Sequence, residues 1–318
     1  MERVVVFAAF DRQGIVSDYI VSYLRQLKTV ASKIIFIADN TADKSQKDKL
    51  SGLVDYAQFE PHGEYDFGSY KRGYAYAQAQ GWLDTADELI LCNDSCFCVA
   101  ALEPIFAQMS EHKCDFWGLM RRTYQREHLQ GYFLVFRKPV IRSNALQTYL
   151  SAVRRQDNFA DVVNQYELPL KEYLEQKGFV AGCFLSADNL QISATKNPTS
   201  YPSLLYQNGF PLVKKKVFLN AVDCMENPRK ILKQVPSPTY QDIVQYNKRH
   251  FPPFPILMKW DLSRCRQQIK HLAVFVLHLF VQIKITKKNK LLIKIFKIPV
   301  VAKAISHKQK EQSQWTIS

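Results

Sequence analysis

Val4-Val5-Val6-Phe7-Ala8-Ala9-Phe10 and Lys33-Ile34-Ile35-Phe36-Ile37-Ala38 are two apolar runs rich in β-branched residues. Between them lie a polar break at 11–14 and a stretch with apolar side chains at Ile15, Val16, Tyr19, Ile20, Tyr23, Leu24 and Leu27. Continuous apolar runs of this length suit strands buried on both faces, and the spacing between them is that of an amphipathic helix. Strand, helix and strand in this order form a right-handed crossover with parallel strands. Working outward, strands are expected at 54–57, 88–92, 115–119, 131–136 and 192–195, and helices at 69–80, 104–109, 141–154 and 167–178. Alternating units of this kind predict an α/β sandwich with a mainly parallel central sheet.

Beyond residue 197 prolines recur, from Pro198 through Pro255, and interrupt any long element. A domain over 1–215 and a C-terminal extension over 216–318, beginning with short helices that wrap the first domain, are the expected division. The charge of +14 is concentrated in the extension: 262–310 holds 12 basic and no acidic residues, against 31 basic and 28 acidic in 1–261. The apolar stretch 271–283 is too short to span a bilayer, which needs about 20 residues. The Lys-rich stretch 284–303 is expected as a basic interfacial helix on an anionic membrane surface, the alternative being a helix packed on the body. A nearly neutral body with no recognised nucleic-acid module argues against a nucleic-acid partner. Seven cysteines without zinc spacing and no leader ahead of the first strand fit reduced thiols in a cytoplasmic protein.

In open α/β sheets ligands bind beyond the carboxyl ends of the strands. Those ends carry Asp11, Asp39 and Asn93-Asp94-Ser95, which suit a divalent ion holding a phosphorylated ligand or, equally, caps of the following helices. The loop His62-Gly63-Glu64-Tyr65-Asp66-Phe67-Gly68-Ser69-Tyr70-Lys71-Arg72-Gly73 sets Asp66, Lys71 and Arg72 at a loop-to-helix junction, where phosphate is favoured. Glu127-His128-Leu129-Gln130 precedes a buried strand, so His128 and Gln130 either face a cleft or belong to a satisfied loop.

Taken together, Glu64 to Gly73, Ile90-Leu91-Cys92-Asn93-Asp94-Ser95, Asp115-Phe116-Trp117-Gly118-Leu119 and His128-Leu129-Gln130-Gly131-Tyr132-Phe133-Leu134-Val135-Phe136-Arg137-Lys138 resemble, in order and spacing, the rhamnan-synthesis protein F family. The resemblance covers roughly 3–215. It implies a bacterial glycosyltransferase of the GT-A, nucleotide-diphospho-sugar transferase kind, making rhamnose-rich polysaccharide or lipopolysaccharide O-chains. It puts Asn93-Asp94-Ser95 where such enzymes carry D-x-D, with Asp94 the retained ligand of Mg²⁺ or Mn²⁺ and Ser95 a departure that puts the metal in question. Asp39 stands at the base-contacting position, and Glu167, ahead of Gly178, at that of the catalytic base. Asp11, Asp39, Asp66, Lys71, Arg72, Asn93, Asp94, Ser95 and Gln130 are therefore the expected donor contacts, and Glu167 with His128 the expected catalytic pair. The implied partners are a nucleotide-sugar donor, dTDP-rhamnose before UDP- or GDP-sugars, and a glycan or lipid-linked glycan acceptor. The implied place is the inner face of the cell membrane, bound peripherally. The other reading is a non-catalytic partner of the assembly machinery.

Overall fold

The computed structural model describes residues 1–193, 195–219 and 224–250, and the backbone of three further strands. Two compact units divide the chain, Met1–Leu257 and Met258–Ser318. The expected boundary after 215 falls inside the first unit, because the short helices Lys216–Leu219 and Pro228–Leu232 and the longer Ser237–His250 belong to it. Ser237–His250 packs on the Asp18–Lys28 helix, where Ser22 hydrogen-bonds Asp242 at 2.6 Å.

The first unit is built on an eight-stranded mixed sheet. Its strands are β1 (Arg3–Ala9), β2 (Lys33–Ala38), β3 (Tyr56–Phe59), β4 (Glu88–Asn93), β6 (Phe116–Arg122), β7 (His128–Leu129), β8 (Phe133–Arg137) and β9 (Ala181–Ser186); β5 (Cys96–Cys98) lies outside it. The order is β3-β2-β1-β4-β8-β6-β7, with β9 also on β6. β1, β2, β3 and β4 run parallel, β8 is antiparallel to both neighbours, and β9 is parallel to β6. This is the expected α/β architecture with a mainly parallel sheet. The last parallel strand is β9, not 192–195. Gly182 within it interrupts the apolar run and weakens the strand signal.

Alternation divides the sheet between two cores. Val5, Phe7, Ile34, Phe36, Ile90 and Cys92 face the side of the Asp18–Lys28 helix. Val4, Val6, Ile35, Ile37, Leu89 and Leu91 face the side of the Tyr65–Ala79 helix. Burial on both faces is why these strands read as unbroken apolar runs. The Tyr65–Ala79 helix lies close on β1: a methyl at Gly73 would stand 2.2 Å from Val6 Cγ1, so only glycine permits this approach. That contact holds the N-terminus of the helix, and Asp66 with it, beside the ends of β1 and β4.

A separate two-stranded ribbon pairs β5 with β10 (Leu212–Lys214), with Lys214 opposite Cys96. In the second unit, β11 (Val281–Ile285), β12 (Leu291–Ile295) and β13 (Ile298–Val301) form an antiparallel meander. The basic helix expected over 284–303 is therefore replaced by strands. Ile283-Lys284-Ile285 and Ile293-Lys294-Ile295 alternate with a period of two, which is a strand pattern, and Pro299 falls on an edge strand where it is tolerated. The expected apolar stretch 271–283 lies, up to residue 280, outside the described residues. Among the described residues no helix is long and apolar enough to cross a membrane.

Candidate active site

The strand order turns back between β1 and β4, and a cleft of about 630 Å³ opens beyond their carboxyl ends, the place where open α/β sheets bind ligands. Ala8, Ala9 and Phe10 from β1, Asn93, Asp94 and Ser95 from β4, Asp66 and Ser69 from the Tyr65–Ala79 helix, and Tyr132, Glu167 and Lys214 line it.

Glu167 ends a π-helical turn, Val163–Glu167, that runs into the Leu168–Glu175 helix. Leu168 N–H reaches back five residues to Val163 O, and Pro169 next to it has no N–H to offer. Wide turns of this type recur at functional sites because they re-aim one side chain. Tyr166 anchors the segment: its hydroxyl accepts from Arg154 N–H and Gln156 Nε2, both at 3.0 Å, and its carbonyl accepts from Tyr149 at 2.9 Å.

The Glu167 carboxyl, 17 % exposed, comes close to Gly131. A Cβ built there would stand 3.0 Å from Glu167 Oε2, and the Gly131 N–H bonds the carboxylate. Tyr70 in turn donates to Gly131 O at 3.0 Å and fixes that turn. Burial, with Asp66 nearby adding repulsion, pushes the Glu167 carboxyl up to about 7, against the moderating pull of Lys214. Burial raises Asp66 as well, although Asn93 Nδ2 donates to its Oδ2 at 2.8 Å.

His128 is buried and lies 3.9 Å from Glu167 Oε1 through Nε2. Its Nδ1 sits 2.8 Å from Arg126 O, which only accepts, so the proton is on Nδ1 and Nε2 presents a lone pair towards Glu167. Burial lowers its pKa and keeps the ring neutral. The arrangement brings together a carboxyl that titrates near neutrality and a neutral imidazole, the groups that proton transfer at neutral pH requires.

The other expected contacts divide. Asp39 lines the cleft, but its Oδ1 accepts from His62 N–H at 2.5 Å and Gly63 N–H at 2.9 Å, which organises the loop after β3. Asp11 is absent from the lining: it accepts from Gln13 and Ile15 N–H and pairs with Arg249. Lys71 and Arg72 are also absent from it. Both pair with Glu64, at 3.0 and 2.5 Å, and Lys71 also donates to Val153 O. A run of charges at a helix start reads as a phosphate site, but these two side chains emerge on the helix's flank and answer an acid of the preceding loop. Gln130 is buried away from the lining, with Oε1 unpartnered among the described residues.

Asn93 is the hub of the β4 end. Its Oδ1 accepts from the Ser95 N–H at 3.2 Å and the Ser95 hydroxyl at 2.5 Å, while its Nδ2 holds Asp66. Asp94 is paired with Lys215 at 3.1 Å, and the Tyr19 hydroxyl lies 3.3 Å from the same oxygen. Among the described residues no three His, Cys, Asp or Glu side chains form a group that could hold a metal ion. One carboxylate already neutralised by an ammonium, beside an amide oxygen and a hydroxyl that both accept hydrogen bonds, is a poor donor set for Mg²⁺ or Mn²⁺.

Sequence reasoning did not single out Lys214 or Tyr132 as site residues. Lys214 Nζ donates to Ser95 Oγ at 2.9 Å and stands 3.9 Å from the centre of the Tyr132 ring. The Tyr132 hydroxyl is buried and unpartnered among the described residues. The only sequence signal was three lysines in a row after an apolar stretch, and the pairing of β10 with β5 that delivers the first of them crosses more than a hundred residues.

The family model of rhamnan synthesis protein F matches residues 34–299. The chain belongs to this family. It is thus a glycosyltransferase-like protein of polysaccharide synthesis. Virulence protein VirA of Vibrio anguillarum is 22% identical to this family member over 256 residues, covering 79% of this chain and 77% of VirA. Among solved structures, core-mannan synthase A from Aspergillus fumigatus, in a Mn/GDP form, is similar at a TM-score of 0.35 and 9% identity, over 58% of this chain and 73% of its own. A cytidylyltransferase from Leptospira borgpetersenii is similar at 0.35 and 10%, over 57% and 75%.

Proposed function

We propose that this protein transfers a sugar from a nucleoside-diphosphate donor to a hydroxyl of a growing cell-surface polysaccharide, with inversion and with Glu167 as the base. The observation that carries the reading is a carboxyl raised to about 7 beside the ends of β1 and β4, in a cleft large enough for a nucleotide sugar. The acceptor oxygen bonds to the anomeric carbon and its proton passes to Glu167. The bond from that carbon to the β-phosphate oxygen breaks, and its electron pair leaves on the nucleoside diphosphate. His128 keeps a neutral ring beside Glu167 and sets where the proton resides. Asp39 shapes the loop after β3, and the exposed Phe10 also lines the cleft.

Within this reading the donor is a deoxyhexose nucleotide, dTDP-rhamnose first, in keeping with the family. The acceptor is lipid-linked at the inner membrane face, a placement that rests on the basic character of 262–310 alone. The test is nucleotide binding and turnover. dTDP, UDP and GDP are titrated calorimetrically into the full chain, and the matching sugar nucleotides are assayed for nucleoside-diphosphate release with lipid-linked glycan present. Selective binding of one nucleotide and turnover of its sugar support the reading. A folded protein that binds none of the three is instead a non-catalytic partner of the assembly machinery.

A further inference from the structure

We propose that the ammonium of Lys214 takes the place of a divalent cation, so that sugar transfer by this protein needs no metal. The inference rests on the transfer reading above and concerns how the leaving diphosphate is neutralised.

The position from which a metal would act is the end of β4, and its side chains are already engaged with one another and with two lysines. Asn93 Oδ1 accepts two hydrogen bonds from Ser95 and its Nδ2 donates to Asp66. Asp94 Oδ2 is held by Lys215 Nζ at 3.1 Å, and the same ammonium donates to the Tyr19 hydroxyl at 2.8 Å. Ser95 Oγ accepts from Lys214 Nζ at 2.9 Å. A dication placed against these groups would meet the Asp94 carboxylate already paired with Lys215, the Asp66 carboxyl already held by Asn93, and two ammonium ions whose repulsion opposes its binding.

The two lysines are brought there by the fold. The β5–β10 ribbon sets Lys214 opposite Cys96, and Lys215 N–H bonds Ser95 O at 2.9 Å, so consecutive lysines straddle the end of β4. They then serve differently. Lys215 is spent on Asp94. Lys214 lines the cleft, and among the described residues it is in no ion pair. An ammonium has three N–H donors; one goes to Ser95 and the charge rests against the Tyr132 ring at 3.9 Å. Donor capacity remains for a ligand oxygen in the cleft that Lys214 lines.

When the bond to the anomeric carbon breaks, the added negative charge forms on the β-phosphate oxygen. A cation fixed in place beside that oxygen stabilises such charge without having to reorganise. The proton leaves at Glu167 and the electron pair arrives beside Lys214, so no further reactant is needed.

The test uses the full chain after exhaustive EDTA treatment. Nucleoside-diphosphate affinity and sugar-nucleotide turnover are measured with EDTA, with Mn²⁺, and for Lys214→Ala and Lys214→Arg. The expected result is that EDTA and Mn²⁺ leave both quantities unchanged within about twofold. Lys214→Ala should weaken diphosphate affinity about tenfold or more and lower turnover by about 10²–10³, the range for losing one stabilising donor at developing charge, while Lys214→Arg recovers most of both. If EDTA abolishes turnover, Mn²⁺ restores it and Lys214→Ala behaves as the parent, the lysine inference is overturned while sugar transfer stands. If no nucleotide binds and no sugar nucleotide is turned over under any condition, both fall together.

Discussion

Asp39 and Glu167 both line the cleft, yet their surroundings differ in kind. Asp39 receives two backbone N–H groups from the loop after β3, and its charge holds that loop in shape. Glu167 receives one N–H, from Gly131, and is otherwise surrounded by buried structure and the repulsion of Asp66. One carboxylate is taken up by backbone donors and serves architecture. The other is held where it gains and loses a proton near neutrality, at a cost to the fold. The same contrast separates Lys215, consumed by Asp94, from Lys214, whose charge faces the cleft. Groups left short of partners in an otherwise well-paired structure mark where the chemistry is expected.

The contrast is sharpened most by removing the strained charge. A carboxyl whose folded-state pKa lies above its unfolded value binds a proton on folding. Its contribution is intact below 4.5 and is lost as pH rises through about 7. Glu167→Gln should therefore stabilise the protein at pH 8 by up to about 3 kcal/mol and leave stability near pH 4 little changed, read from urea unfolding at the two pH values. An unchanged pH dependence would place the titrating group elsewhere. Gly131→Ala acts on position instead of charge. Its methyl would meet Glu167 Oε2 at 3.0 Å, and turnover should fall about a hundredfold with the fold intact by circular dichroism.

At the other end of the comparison, Asp39→Ala strips two backbone N–H groups of their acceptor. It should lower stability by about 1–3 kcal/mol while the pH midpoint of turnover stays where it was. The smallest effect is expected of Lys71→Ala: its ammonium is partly exposed and pairs with Glu64, so stability should change by about 1 kcal/mol or less and nucleotide affinity not at all. A large loss of affinity in that variant would return Lys71 to the donor site.

What the sequence disclosed follows the same division. The strands buried on both faces, β1, β2 and β4, were legible because such burial leaves no polar position in the run. β9 was not, because Gly182 interrupts its short apolar run, where a glycine weakens a strand signal. Glu167 could be named from its place ahead of a helix and a glycine, but nothing in its neighbours foretold a raised pKa, which depends on Gly131 and Asp66 arriving from other elements. Lys71 and Arg72 pair with Glu64 instead of lining the cleft, and adjacency to a glycine-rich loop does not tell which partner a side chain takes. Lys214 was hidden by distance along the chain: only the pairing of β10 with β5 carries it to Ser95. In the tail, the Lys-Ile alternation was present, and its period of two was passed over in favour of its charge.

The most direct test of the account is the pH profile of sugar-nucleotide turnover by the parent protein and by Glu167→Gln, with nucleoside-diphosphate affinity measured on both. The account predicts that parent kcat/KM rises with pH to a plateau with a midpoint near 7. It also predicts that Glu167→Gln binds nucleotide as the parent does but turns over about 10²–10⁴ times more slowly, without that midpoint. Turnover within tenfold of the parent and an unaltered pH profile in Glu167→Gln would contradict it.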